Sequence, residues 1–239
     1  MRVLRFVAAM TIVAALAGCA GLDSPGSGPP VEGPTFRVGD RWVYRALDGF
    51  RAPLTWDETH EVVGVAPGAI TVRVTETGPN ARGPRTETWA TPGRLAMGPV
   101  FDDETRTFTP PVTIYGFPMA TGQRWNQWVD SFNATTRKAG QINRYVTVDG
   151  WARVATRAGD FDALKLRVLM RLDDEEFWRW PTECNYLVYY APAVGAMVRA
   201  EKNAQYYEKG DRGTASARSS RSTPRSSSCH GPADLSAAA

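Results

Sequence analysis

From residue 164 onward the chain alternates. Leu164, Leu166, Val168, Met170 and Leu172 fall on one side, Lys165, Arg167 and Arg171 on the other. Period-two alternation is the pattern of a half-buried strand. The stretch before it, Trp151 to Ala158, reads as the partner strand. Gly159-Asp160-Phe161-Asp162 reads as the turn between them, because Gly tolerates positive φ and Asp bonds its own backbone. Similar patterns recur along the chain. Arg41 to Arg45, Thr55 to Val65, Ala69 to Glu76 and Thr86 to Ala90 read as strands, punctuated by Pro67-Gly68, Gly83-Pro84 and Pro92-Gly93. Gln141 to Asp149, Glu183 to Ala191 and Ala196 to Lys202 continue the series, with Pro192 to Gly195 as a turn. After residue 35 no stretch holds a helical period over eleven or more positions. The pattern predicts an all-β domain: an antiparallel meander forming a curved sheet, a half-barrel or a sandwich, with sequential strands paired as hairpins.

Two regions qualify this picture. Arg94 to Pro118 carries Gly98-Pro99, Pro110-Pro111 and Gly116, so strands there are expected to be short or at an edge. Gly39-x-Arg41-Trp42 returns as Gly122-x-Arg124-Trp125, each feeding an aromatic strand. Four matched positions are compatible with two similar halves, with chance, or with a shared turn device.

The ends of the chain differ from its body. Arg2 and Arg5 precede the apolar run Phe6 to Leu16, shorter than the about 20 residues that span a bilayer. Such a segment reads as a secretory signal, residues 1–18. Leu16-Ala17-Gly18-Cys19 follows it directly. This resembles the bacterial lipobox, in which the cysteine is diacylated and becomes the new amino terminus. The resemblance implies a lipid anchor at Cys19, worth about 0.8 kcal/mol per buried methylene. Ala20 in place of Asp points to the outer membrane, facing the periplasm, by the enterobacterial sorting pattern. Residues 19–34 then form the lipidated Cys and a Gly-, Ser- and Pro-rich tether, 35–209 the β domain, and 210–239 a Ser/Arg-rich tail expected to be disordered.

Charge excludes one class of partner. The formal net charge is +3, but Arg2 and Arg5 lie in the leader and Arg212, Arg218, Arg221 and Arg225 in the tail. The body is neutral, which argues against nucleic-acid binding. With Cys19 acylated, Cys184 and Cys229 remain. In an oxidising compartment they are candidates for a disulfide, with two free thiols as the alternative.

Catalytic chemistry finds little footing. His60 and His230 are the two histidines, and no cluster of His, Cys or carboxylates has metal-ligand spacing. Nucleophile-elbow and phosphate-loop motifs are absent. Asp102-Asp103-Glu104 and Asp173 to Glu176 read as solvated acidic turns, without the oxygen spacing of a calcium loop. Glu58, Glu61, Glu76 and Glu87 could include a paired carboxylate, but spacing alone places no two together. Asn133-Ala134-Thr135 fits a glycosylation sequon, of little meaning in a bacterial lipoprotein. The sequence therefore implies no enzyme, no metal and no cofactor.

Ala158-Gly159-Asp160-Phe161-Asp162-Ala163, together with Tyr190-Ala191-Pro192-Ala193-Val194-Gly195, resembles the paired signature of a family of uncharacterised bacterial envelope lipoproteins of unknown function. The resemblance implies a curved antiparallel sheet like that of the lipoprotein carriers LolA and LolB, and supplies no catalytic residues. The tail has no place in that pattern. A membrane anchor and an aromatic-rich curved sheet lead to the expected function: a non-catalytic envelope lipoprotein binding a lipid, a glycan or another hydrophobic or amphipathic molecule. Trp151, Trp178 and Trp180, then Tyr186 and Tyr190, are the residues expected to line the site. The alternative is a structural lipoprotein contacting cell wall or a membrane-protein partner. Labelled palmitate should be incorporated by the wild-type chain and not by Cys19→Ser; equal labelling of the two would exclude an anchor at that residue.

Overall fold

The computed structural model describes residues 28–48, 54–101, 104–173, 178–209, 215–216 and 222–230. Cys19, the leader, Asp102, Asp103 and residues 174–176 lie outside them. Among the described residues there are strands and turns and no helix. In chain order the strands are β1 (Arg41–Asp48), β2 (Leu54–Ala66), β3 (Ala69–Thr77), β4 (Arg85–Thr91), β5 (Arg94–Gly98), β6 (Arg106–Thr113), β7 (Arg124–Asn133), β8 (Lys138–Thr156), β9 (Gly159–Asp173), β10 (Thr182–Ala191) and β11 (Ala196–Gln205). Each pairs antiparallel with the next, making a curved meander. Three short elements follow: β12 (Glu208–Lys209), β13 (Ala215–Ser216) and β14 (Ser222–His230). β12 pairs with β13, and β14 lies between β1 and β11, so the sheet closes into a barrel.

The alternation of β9 is realised as read. Leu164, Leu166, Val168, Met170 and Leu172 are buried in the main core, while Arg167 and Arg171 are exposed. The turn before β9 is tighter than expected. Arg157 and Ala158 form the whole connection, and Thr156 faces Gly159 across the ladder. The Thr156 side chain closes it: its Oγ1 accepts from Ala158 N (3.1 Å) and donates to Gly159 O (2.9 Å). Asp160 to Asp162, expected in the turn, are instead the start of the strand. Phe161, Ala163, Ala191, Val194 and Val198 then pack in one cluster with Tyr44, Trp42 and Val154. The two motifs quoted above thus meet in space.

β5 and β6 are paired on both sides rather than lying at an edge. Proline is accommodated by a break in the ladders. Thr107 to Thr109 pair with β7, and Val112 and Thr113 with β5, while Pro110 and Pro111 carry no ladder partner. A missing N–H costs nothing where no acceptor waits for it.

The repeated Gly-x-Arg-Trp segment has one geometry twice. Gly39 N donates to Val62 O and Val62 N to Asp40 O, at 2.8 and 2.9 Å. Gly122 N donates to Val148 O and Val148 N to Gln123 O, at the same two distances. Register shifts follow at Val62/Gly64 in β2 and at Val148/Gly150 in β8. Strands β1–β3 and β7–β9 therefore begin alike, which extends the sequence match from four positions to a shared bulged hairpin.

Two boundaries move. Residues 28–34, assigned to the tether, belong to the domain: Val31 is buried in the main core and exchanges backbone hydrogen bonds with Met119 at 2.7 and 2.8 Å. Gly28 against Trp151, Gly33 against Phe117 and Pro34 against Gly195 add further contacts along the segment. Ser222–His230, assigned to a disordered tail, is β14. The open edges of β1 and β11 offer it unpaired backbone groups on both sides.

Gly159 has φ +123°, a conformation costly for a β-branched residue. Lys165 is half-buried on the outer face, 3.8 Å from Asp149. Gly159→Val should destabilise by about 1 kcal/mol or more, and Lys165→Ala by less than about 0.5 kcal/mol. Denaturant midpoints of the two variants test this ranking.

Candidate functional site

The segment between β6 and β7 shapes the interior, and side chains of β7 and β8 fasten it. Gln127 accepts from Thr113 N (2.7 Å) and donates to Pro111 O (3.1 Å). Gln123 accepts from Ala120 N (2.9 Å) and donates to Gly116 O (2.8 Å). Trp125 Nε1 donates to Thr113 O at 3.3 Å. Arg144, 2% exposed, donates to Thr113 O, Ile114 O and the Tyr186 hydroxyl. From the other side Gly93 O accepts from Ile114 N and Tyr115 N at 2.8 and 3.1 Å. A Cβ at Gly93 would lie 2.3 Å from Tyr115 O, so a side chain there would displace the loop. Held this way, Tyr115 and Phe117 pack against Tyr190 of β10, with ring centroids 5.0 and 5.3 Å from it.

Beside these rings lies a partly enclosed cavity of about 200 Å³. Its aromatic walls include Trp42, Tyr44, Trp89, Tyr115, Phe117 and Tyr190. Its polar side is a cluster from β2 and β4: Glu58, His60, Arg85 and Glu87. Arg85 sits at the centre. It donates to Glu76 Oε1 (2.9 Å) and Glu58 Oε2 (3.2 Å), and its Nε lies 3.6 Å from Glu87 Oε1. Arg82 adds a second cation to Glu76, and His60 Nε2 lies 3.2 Å from Glu58. Burial alone would push the Glu58 carboxyl up; His60, Arg85 and the Trp56 N–H outweigh it and hold Glu58 well below the usual carboxylate range. Burial pushes the Tyr115 and Tyr190 hydroxyls above the usual phenol range, so both are neutral hydrogen-bonding groups.

Of the five aromatic residues expected at the site, Tyr190 lines this cavity. Tyr186 is buried beside it in the core, its hydroxyl shared with Arg144 and Met170 Sδ (3.6 Å). Trp151 is half-buried against the main core, and Gly28 packs on its indole edge. Trp178 and Trp180 stand outside the cavity, 39% and 46% exposed. Their faces are taken by neighbours: Tyr206 and Arg179 against Trp178, and Lys209 over Trp180 at 5.0 Å. Local alternation read them as strand neighbours, but both precede β10 and neither lines the cavity. Cys184 is buried in the core. Its register runs through Ala204 to Ser222, whereas Cys229 stands seven residues further along β14, opposite Tyr44. That is about 23 Å at strand rise, too far for a disulfide between them.

Three of the four glutamates named from sequence, Glu58, Glu76 and Glu87, converge on Arg85; Glu61 does not. Asn133 of the sequon is buried, its side chain accepting from Thr135 N and Thr136 N and donating to Glu104. Arg85, Trp89, Tyr115 and Phe117 were missed. A signal existed for β4, where Arg85, Glu87 and Trp89 share a face and pair with Val74, Val72 and Ile70 of β3. Charges in register with a buried apolar row mark a polar interior. Among the described residues no group of three or more His, Cys, Asp or Glu could hold a metal ion.

The fold and cavity define a closed antiparallel barrel with an aromatic, partly charged interior. No protein-family model matches the sequence, and no curated protein matches it significantly. Solved structures that share part of the strand path include a candidate lipoprotein from Parabacteroides distasonis (TM-score 0.46, 12% identity, 84% of this chain and 98% of that one). A candidate exported protein with a YmcC-like fold from Bacteroides fragilis gives TM-score 0.46, 11% identity and the same coverages. The hypothetical lipoprotein YmcC from Escherichia coli gives 0.42 and 7%, over 84% and 92% of the two chains. At these scores the likeness assigns no function.

The lowered Glu58 value carries a pH dependence. The unfolded chain takes up this proton near pH 4, and the folded chain does so at a lower pH. The stabilisation is complete above the unfolded value and is lost as pH falls below it toward the folded one. Glu58→Gln should be less stable at pH 7 and show a flatter decline between pH 5 and 3, read from denaturant midpoints.

Proposed function

We propose that the protein is a non-catalytic lipoprotein of the bacterial envelope, anchored through Cys19, whose barrel holds a small amphipathic ligand without transforming it. The observation that carries this reading is the cavity: apolar aromatic walls with a few convergent polar groups, the usual composition of a small-molecule site. The lipobox supports the anchor, and Ala20 supports the outer membrane. The cavity also limits the ligand. At about 200 Å³ it exceeds the roughly 150 Å³ that hold one benzene ring and falls short of the roughly 300–1,000 Å³ of drug-sized sites. A ring or a short chain fits; a full acyl chain of a dozen methylenes does not.

One observation favours the second reading, a lipoprotein that contacts a partner. Trp128, Tyr145 and Leu169 are each half or more exposed on the outer face of β7–β9, and Tyr145 and Leu169 are directly paired. Exposed apolar groups that gather on one face mark interaction surfaces.

Calorimetric titration of the full-length chain in lipid nanodiscs with 2-phenylethanol, corrected with empty nanodiscs, separates the two. Saturable binding that Ala196→Phe, inside the cavity, removes and Trp128→Ser preserves is the expected result. No saturable heat would overturn the cavity reading and leave the outer patch as the stronger candidate.

A further inference from the structure

Three polar groups of the cavity make no hydrogen bond among the described residues. Glu87 is 6% exposed, lines the cavity, and makes no hydrogen bond among the described residues; its nearest cation is Arg85 Nε at 3.6 Å. Tyr190 is 1% exposed, and its hydroxyl likewise has no hydrogen-bond partner among the described residues. The same holds for Tyr115, whose ring centroid lies 5.0 Å from that of Tyr190. Their polar atoms are not sealed in the core, so a molecule in the cavity can reach them.

The charge around Glu87 is also incomplete. Arg85 is shared among three carboxylates, and its two hydrogen bonds go to Glu58 and Glu76. Glu58 has His60 in addition, and Glu76 has Arg82. Glu87 has only the longest contact to Arg85. Lys202 also lines the cavity, from β11, and has an interaction of its own. Beyond the Arg85 Nε at 3.6 Å, Glu87 keeps accepting capacity toward the cavity, and the surrounding faces are aromatic: Trp89, Tyr115, Phe117 and Tyr190. A carboxylate and aromatic faces together recognise an ammonium group, by ion pairing and by cation–π attraction.

Resting on the cavity reading above, we infer that the ligand is a small amine with an apolar body. Its ammonium group is held by Glu87 with the Tyr115 and Tyr190 hydroxyls, and its apolar part lies against the rings. An anionic ligand is disfavoured by Glu87, and a neutral alcohol adds no positive charge to the long Arg85 contact.

The test compares 2-phenylethylamine, 2-phenylethanol and 3-phenylpropionate by calorimetry on the full-length chain in neutral-lipid nanodiscs at pH 7. The amine should bind at least ten-fold more tightly than the alcohol, and the acid should not bind measurably. Glu87→Gln, checked for fold by circular dichroism, should remove the preference for the amine over the alcohol. Equal binding of amine and alcohol to the wild type, or an amine preference that survives Glu87→Gln, overturns the inference and leaves the cavity reading standing. Failure of all three to bind overturns both. If Glu87→Gln does not fold, the wild-type ranking decides, and Tyr190→Phe should weaken the amine more than the alcohol; the reverse ranking counts against the inference.

Discussion

A guanidinium buried in the middle of a barrel dictates much of what surrounds it. Arg144 is on β8 with apolar neighbours on its own inner row, Ile142 and Val146. Its charge cannot be left without acceptors. Two of those acceptors, Thr113 O and Ile114 O, belong to the chain leaving β6, and the third is the Tyr186 hydroxyl on β10. The connection between β6 and β7 is therefore tied to a central strand instead of lying loose over the barrel end. Gln123, just before β7, and Trp125 and Gln127 on it complete the fastening. Tyr115, Phe117 and Met119 are placed by this network, and with them the pairing that holds Val31.

The cavity follows from that placement and from strand number. A barrel of about eight strands is filled by its own side chains; with β1–β11 and β14 there is space to fill by other means. On the side of β7–β10 large aliphatic residues and the Val31–Met119 pair fill it. On the side of β1–β4 the inner rows carry Glu58, His60, Arg85 and Glu87, which cannot pack into a dry core and instead organise around one arginine. The boundary between these halves is where the interior remains open, with three tyrosines and two tryptophans lining it.

The shared geometry of β1–β3 and β7–β9 makes the contrast sharper. The same turn and bulge are used in both, at Gly39 to Gly64 and at Gly122 to Gly150. The inner row of the first unit is polar at Glu58 and His60, and the matching row of the second carries Arg144 between the apolar Ile142 and Val146. One backbone device thus supports a charged wall on one side and, around a single arginine, an apolar wall on the other.

Backbone periodicity was legible in the chain because it is local. The alternation of β9, the strands of the first third and the turn at Pro192 to Gly195 follow from period two and turn chemistry alone. The tether boundary, the strand from the tail and the site were not legible. Val31 is ordered by Met119, far along the chain, and Ser222–His230 by two edges it could not announce. Trp178 and Trp180 were read as strand neighbours lining the sheet, but both precede β10 and belong to no barrel strand. Glu58, Arg85 and Glu87 were ordinary charges in ordinary strands; only the register of β2, β3 and β4 brings them to one point, because electrostatic and packing partners across a barrel are set by three-dimensional distance and not by spacing in sequence.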